Sequence, residues 1–187
     1  NRSEFSNYIL HTGQHYDEAL SETFFETLSL PKPDENLAIG SGSQAGQTAA
    51  GLCGIETAIE NVKPEGVLAQ GDTNAVLSAA IATSKCTPLF GHVEAGIRSG
   101  DRSMPEEVNR VVADAVADLA FATTETAAAN LTQESTVGAI HVTGNTIVDA
   151  CRRHANISAR VSDVRTTLGV GEQPFVVATI HRPLNTD

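Results

Sequence analysis

Four acids, three arginines and one histidine crowd into residues 92–110, HVEAGIRSGDRSMPEEVNR. Glu94 and Glu106 are the first candidates for chemistry, as carboxylates able to take and return protons. An apolar run, PLFG (88–91), leads into this block and reads as a buried strand. Gly96 and Gly100 then mark a polar loop, and Pro105 opens a helix, where its fixed φ and missing N–H cost nothing. The acids thus lie between a strand's carboxyl end and a helix's amino end, the crevice where open α/β sheets bind ligands.

Three further predicted strands also end in polar sequence: HTGQHYD (11–17), GDT (71–73) and HR (181–182). In a parallel sheet all carboxyl ends lie on one side, so these groups converge. His92 and Glu94 stand two apart and share a face if the strand continues through both. With Asp72 they resemble a metal-ligand set, but no further His or Cys completes a tetrahedral site, and no metal is expected. GSG (40–42) ahead of a helix imitates a dinucleotide fingerprint. Its third glycine falls a residue late at Gly46, and no acid follows at the needed distance. Ser43 reads instead as a helix cap. Glu106 and Glu107 also have a plain explanation, since acids in a first helical turn complement the helix dipole. His141 and His154 read as structural or surface residues.

The elements that must hold these groups alternate. Strands are predicted over 7–12, 67–69, 88–93, 119–123, 139–143 and 175–180. Helices are predicted over 17–28, 44–61, 76–83, 105–117, 124–131 and 146–155. Residues 34–42 read as a polar loop and 158–173 as a link. Most of the strands are continuous apolar runs, the pattern of a parallel sheet covered by helices on both faces.

Composition narrows the class. A net charge of −11, from 23 acids against 12 lysines and arginines, excludes the basic footprint of a nucleic-acid binder. Only three lysines occur, and so acidic a surface suits either a salt-rich cytoplasm or an ordinary cytosol. No stretch approaches the ~18 apolar residues of a membrane span, and the expected location is cytoplasmic. Cys53, Cys86 and Cys151 are odd in number with no C-x-x-C, and are expected as buried thiols of a reducing compartment.

In this order, GDTN (71–74), GHVEAGIRSGD (91–101), PEEVNR (105–110), TGNTIVD (143–149) and HR (181–182) resemble the non-hydrolysing UDP-N-acetylglucosamine 2-epimerases. TGQHYD (12–17) fits the same pattern. That resemblance implies a GT-B architecture, two Rossmann-like domains with the substrate in the cleft between them. The chain would be its amino-terminal domain, trimmed at both ends: residues 1–157 form the Rossmann-like domain, 158–173 the linker and 174–187 the start of the second domain. The family's first strand would pair between the 8–12 and 67–69 strands. Pro183 and Leu184 depart from the family's usual sequence after His181, while Asn185 is retained.

The resemblance assigns catalysis to Asp72, Glu94, Glu106 and His181. Asp72, Glu94, His181, Arg182, Gln14 and His15 would contact the substrate. Inverting C2 of an N-acetyl sugar means removing a proton that no carbonyl acidifies. Breaking the C1–O bond first solves this: UDP leaves, a glucal-type intermediate forms, and re-addition delivers the proton to the other face. Carboxylates handle the protons and cations hold the departing diphosphate. No cofactor is needed, because a proton and not a hydride is exchanged. The expected partners are UDP-N-acetylglucosamine and UDP-N-acetylmannosamine, bound to a homodimer at full length. A hydrolysing relative, releasing free N-acetylmannosamine and UDP, and an inactive nucleotide-sugar-binding module are the alternatives.

Overall fold

The computed structural model describes residues 5–13, 25–136, 138–171 and 173–179. The chain divides into two units, residues 1–146 and 147–187. In the first, β1 (Leu10–His11) pairs in parallel with β2 (Glu35–Asn36). A separate four-stranded parallel sheet runs β3 (Gly66–Gln70), β4 (Leu89–Ala95), β5 (Leu119–Ala122) and β6 (Ala139–Val142), neighbours in space as in sequence. Helices α1 (Gln44–Val62), α2 (Asn74–Thr83), α3 (Pro105–Val116) and α4 (Glu125–Gln133) precede or connect these strands. Parallel neighbours require such crossovers, and helices supply them.

Local chemistry sets the helix boundaries. Ser43 caps α1 by accepting from the Gly46 N–H at 3.1 Å, and Thr124 caps α4 by accepting from the Ala127 N–H at the same distance. Gly40 and Gly42 therefore lead into an ordinary capped helix. Lys63 ends α1 in a left-handed conformation, φ 53°, its N–H closing on Ile59 O at 2.8 Å. Gly51 lets α1 approach α2: a Cβ there would lie 2.6 Å from Ser78 Oγ, which itself donates to Thr48 O.

Register places Val67, Ala69, Phe90, His92 and Ala120 on one face of the sheet. Over it, Ile55, Ile59, Val76, Ala79, Ala80, Ala113 and Ala117 pack around Phe90. A smaller cluster joins Ala120 and Ala122 to Ala127 and Leu131 of α4. Nearly all of this is aliphatic, and the many alanines bring the helices close enough for buried polar groups to reach the strand ends.

The second unit contains most of α5 (Thr146–Val161) and all of α6 (Val164–Thr167). Neither helix contains a buried residue. Among the described residues no helix is long and apolar enough to cross a membrane.

Several expectations need correction. The strand expected over 7–12 shrinks to Leu10–His11, and its partner β2 lies in what reads as polar loop. Two residues suffice because pairing, not propensity, makes a strand. α5 runs six residues past its expected end, and α6 occupies part of the expected link. Residues 173–179 form no strand, having nothing in their unit to pair with among the described residues. Cys53 and Cys151 are exposed and Cys86 is half-buried. Cys53 lies with Glu56, Thr57 and Glu60 on the exposed side of α1, opposite the apolar stripe.

Candidate active site

Asp72, Glu94 and Glu106 all lie at the carboxyl-end side of the four-stranded sheet. Asp72 follows β3 by two residues, Glu94 is at the end of β4, and Glu106 is in the first turn of α3. Gln14, His15, His181 and Arg182 lie outside the described residues.

Gly71 turns the chain out of β3 with φ +89°, a conformation suited to glycine, and its N–H donates to Val93 O at 3.0 Å. Asp72 follows and is held at three points. Its carboxylate accepts from Arg110 Nη2 at 2.5 Å, its backbone carbonyl accepts from Asn109 Nδ2 at 2.8 Å, and Gly71 ties its preceding peptide to β4. Both α3 residues face inward, Asn109 being buried and Arg110 half-buried.

Glu94 sits where β4 breaks register with β5: Val93 pairs with Phe121, but Ala95 pairs with Ala122. One residue of β4 is therefore extra, and Glu94 takes a left-handed φ of 71° there. Such a bulge re-aims a side chain. A non-glycine residue in this region costs on the order of 1–3 kcal/mol and persists only where its surroundings over-determine it. This overturns the expectation that His92 and Glu94 share a face. Glu94 instead accepts from Gln70 Nε2 at 2.8 Å, and Gln70 is in register with Val93, on the face opposite His92. The other carboxylate oxygen lies 3.9 Å from where a side chain on Gly71 would begin. Glu94 and the Gly71–Asp72 turn are thus brought together.

Glu106 and Glu107 are neighbours with different roles. Glu106 is half-buried, and its side chain makes no hydrogen bond or ion pair among the described residues. Glu107 is only 3% exposed. It accepts from the N–H groups of Ser99 and Gly100, each at 3.0 Å, and from Arg110 Nη1 at 2.9 Å. Burial taken alone would push its carboxyl up. The Ser99 and Gly100 amides outweigh that, helped by Arg110 and the Ser99 hydroxyl, and hold it down at about 2. Glu107 therefore anchors the loop after β4 and, through Arg110, the position of Asp72.

A second buried network lies beneath. His92 is 0% exposed and Asp114 1%. The ring's Nδ1 is 2.6 Å from Asp114 Oδ1, and its Nε2 is 2.8 Å from Gly71 O. Asp114 Oδ2 accepts from the Gly96 N–H at 3.0 Å and pairs with Arg98 at 2.7 Å. Arg98 also forms a two-pronged bond to Glu134, at 2.8 and 2.6 Å. Burial would lower the Arg98 pKa, but the Glu134 and Asp114 carboxylates raise it further than burial lowers it. Both His92 nitrogens are engaged by the protein itself, so the metal set considered from sequence does not form. Among the described residues no cluster of histidine, cysteine and acid could hold a metal ion.

Sequence reasoning missed Glu107, Arg110 and Asp114. Their spacing was the available signal: positions i, i+3 and i+7 share one helix face, and here that face also carries Ala113 and Ala117 of the core. A cavity of about 450 Å³ is lined by Arg98, Gly100, Arg102, Glu107 and Glu134 but not by Asp72, Glu94 or Glu106. The three candidates are each half-buried.

Comparison with known proteins agrees with the motifs. The family model for UDP-N-acetylglucosamine 2-epimerase matches residues 1–187. The UDP-N-acetylglucosamine 2-epimerase of Methanococcus maripaludis is 45% identical over 183 residues, covering 96% of this chain and 50% of the relative. The UDP-2,3-diacetamido-2,3-dideoxy-D-glucuronate 2-epimerase of Pseudomonas aeruginosa is 40% identical, covering 97% and 51%. A crystal structure of the Methanocaldococcus jannaschii UDP-GlcNAc 2-epimerase in complex with UDP-GlcNAc and UDP superposes with a TM-score of 0.85 at 44% identity, over 90% of this chain and 47% of that one. The chain spans about half the length of the curated relatives it matches. Motifs, parallel α/β fold and sequence identity agree: the chain belongs to the UDP-N-acetylglucosamine 2-epimerase family.

Proposed function

We propose that the protein interconverts UDP-N-acetylglucosamine and UDP-N-acetylmannosamine without net hydrolysis. The observation that carries this reading is the placing of two carboxylates at adjacent strand ends, Asp72 on its pinned turn and Glu94 on its bulge beside Gly71. Glu106 stands at the start of α3 without a partner among the described residues. A reaction that first expels UDP and then moves the C2 proton needs groups of this kind on the sugar. The family resemblance adds His181, Arg182, Gln14 and His15 to the substrate contacts, with His181 assigned to the nucleotide. The substrate class is supported by the ligands of the Methanocaldococcus jannaschii structure. We place the active, full-length form in the cytoplasm as a homodimer.

The test is incubation of the purified protein with UDP-N-acetylglucosamine in D2O, with products followed by NMR. The expected outcome is both UDP-sugars at equilibrium, each carrying deuterium at C2. Conversion without deuterium at C2 rejects the proton-transfer mechanism. Free N-acetylmannosamine with UDP would assign the hydrolysing reaction instead.

A further inference from the structure

We propose that the buried His92–Asp114 pair is a positioning device that sets the two acidic loop ends, Asp72 and Glu94, against each other. The proposal rests on Asp72 and Glu94 being the groups that handle the proton.

Asp72 follows β3 and Glu94 lies in the bulge of β4. Gln70 links β3 to the Glu94 carboxylate, but the turn that carries Asp72 and the bulge that aims Glu94 need holding from below as well. The pair reaches both. On one side, His92 Nε2 lies 2.8 Å from Gly71 O. A carbonyl oxygen only accepts, so at this contact the ring nitrogen is the donor. With the Gly71 N–H bound to Val93 O, β4 grips the peptides on both sides of the residue preceding Asp72. On the other side, Asp114 takes the Gly96 N–H at 3.0 Å and the His92 Nδ1 at 2.6 Å. Glu94 and Gly96, with φ of 71° and 79°, flank Ala95 in the left-handed region. A side chain on Gly96 would meet Ala127 O at 2.2 Å, so α4 closes this turn from outside. The bulge that aims Glu94 is therefore clamped by Asp114 within and α4 without.

Neither member of the pair is placed to act on substrate. Both are fully buried, both ring nitrogens are occupied by the protein, and Asp114 is saturated by Gly96, His92 and Arg98. What they control is geometry. Small misplacements of reacting groups are expensive: about 1 Å costs on the order of 10²-fold in rate.

Two variants separate the two grips. In His92→Asn the amide overlies Nδ1, keeping Asp114 and releasing Gly71. In His92→Gln it overlies Nε2, keeping Gly71 and releasing Asp114. The Asn variant is expected to lose roughly 10- to 100-fold in kcat with KM nearly unchanged, and its Gly71 amide to exchange faster in D2O while Gly96 does not. The Gln variant should give the reverse exchange pattern and recover part of kcat. Equal losses in both variants, in step with lost thermal stability, would reduce the pair to a structural role and overturn the proposal. Should neither variant fold, the unmodified protein still decides: a long-range 1H–15N spectrum must show His92 protonated at Nε2, and a ring bare at that nitrogen sinks the idea. Should the unmodified protein not epimerise, the functional reading fails by itself. Amide exchange then judges the pair alone, and an unchanged Gly71 amide in the Asn variant overturns it.

Discussion

The exits of β3 and β4 and the exits of β5 and β6 lie on the same side of one sheet, yet they are built differently. Leaving β3 and β4, the chain meets Gly71, Asp72, Glu94 and Gly96. Beneath them lie His92, Asp114, Glu107 and Arg110. Leaving β5 and β6, it meets Thr123, Thr124, Thr143 and Gly144, where the side chains of Thr124 and Thr143 bond locally, as in the cap from Thr124 to α4. Parallel topology makes a crevice at every strand end. The proposed site lies where a following helix sends charged side chains back under the turn. α3 does this with Glu107, Arg110 and Asp114, whereas α4 turns Ala127 and Leu131 inward. The contrast is between an end held by charge and an end held by packing, and substitutions on the two sides should separate them.

The largest effect is expected at the bulge. Glu94→Gln keeps the shape and removes the proposed proton carrier, and turnover should fall by roughly 10²–10⁴-fold. Thr143→Ala, at the exit of β6, should leave turnover close to that of the unmodified protein. Steady-state rates of both variants check the pair of outcomes. Equal losses would mean that the charged end has no special part in the reaction.

Asp114→Asn comes next, and it acts on stability. The carboxylate faces Arg98 and His92 in a site with almost no water access. Removing one partner of a buried charged set costs about 3–5 kcal/mol, because the remaining charge stays buried uncompensated. Urea unfolding at neutral pH measures this. A loss below about 1 kcal/mol would show Arg98 satisfied by Glu134 alone.

The comparison also sorts what the sequence could reveal. β3 to β6 were legible to within a residue or two, since continuous apolar runs have few other fates in an alternating chain. The capping roles of Ser43 and Thr124 were legible for the same local reason. β2 was not, because Glu35 and Asn36 are strand only through their pairing with β1. The bulge was not, because Glu94 lacks the glycine that would advertise a left-handed residue. Glu106 drew attention through its motif, while Glu107, equally visible, holds the loop. Helical phase does not tell the two glutamates apart, because Glu106 and Glu107 both lie within about 120° of Ala113 and Ala117. What separates them is the Ser99 and Gly100 amides, which the loop folds back onto Glu107.

Glu107 provides the third prediction, in pH. Its carboxyl is held at about 2 against an ordinary 4.5. A depressed folded-state pKa means the charged form is favoured by folding. Its contribution is therefore complete above about 4.5 and lost as pH falls from there through about 2. The full shift corresponds to roughly 3 kcal/mol. Unfolding free energies of the unmodified protein and of Glu107→Gln should differ most at neutral pH and converge as pH approaches 2. A difference that stays constant across this range would mean Glu107 is not ionised in its buried site.

The smallest effect belongs to the packed end. Thr124 Oγ1 satisfies one orphan N–H of α4, that of Ala127, and touches neither Asp72 nor Glu94. Replacing a threonine cap by alanine typically costs about 1 kcal/mol. α4 nevertheless closes the turn at Gly96 through Ala127 O and Leu131, so this substitution asks whether the charged end depends on the packed one. If Asp114 holds the turn from within, as its bond to the Gly96 N–H indicates, Thr124→Ala should lower the unfolding free energy by about 1 kcal/mol and leave kcat unchanged. A fall in kcat well beyond the lost stability would show that α4 helps aim Glu94, and the two ends of the sheet would then act as one.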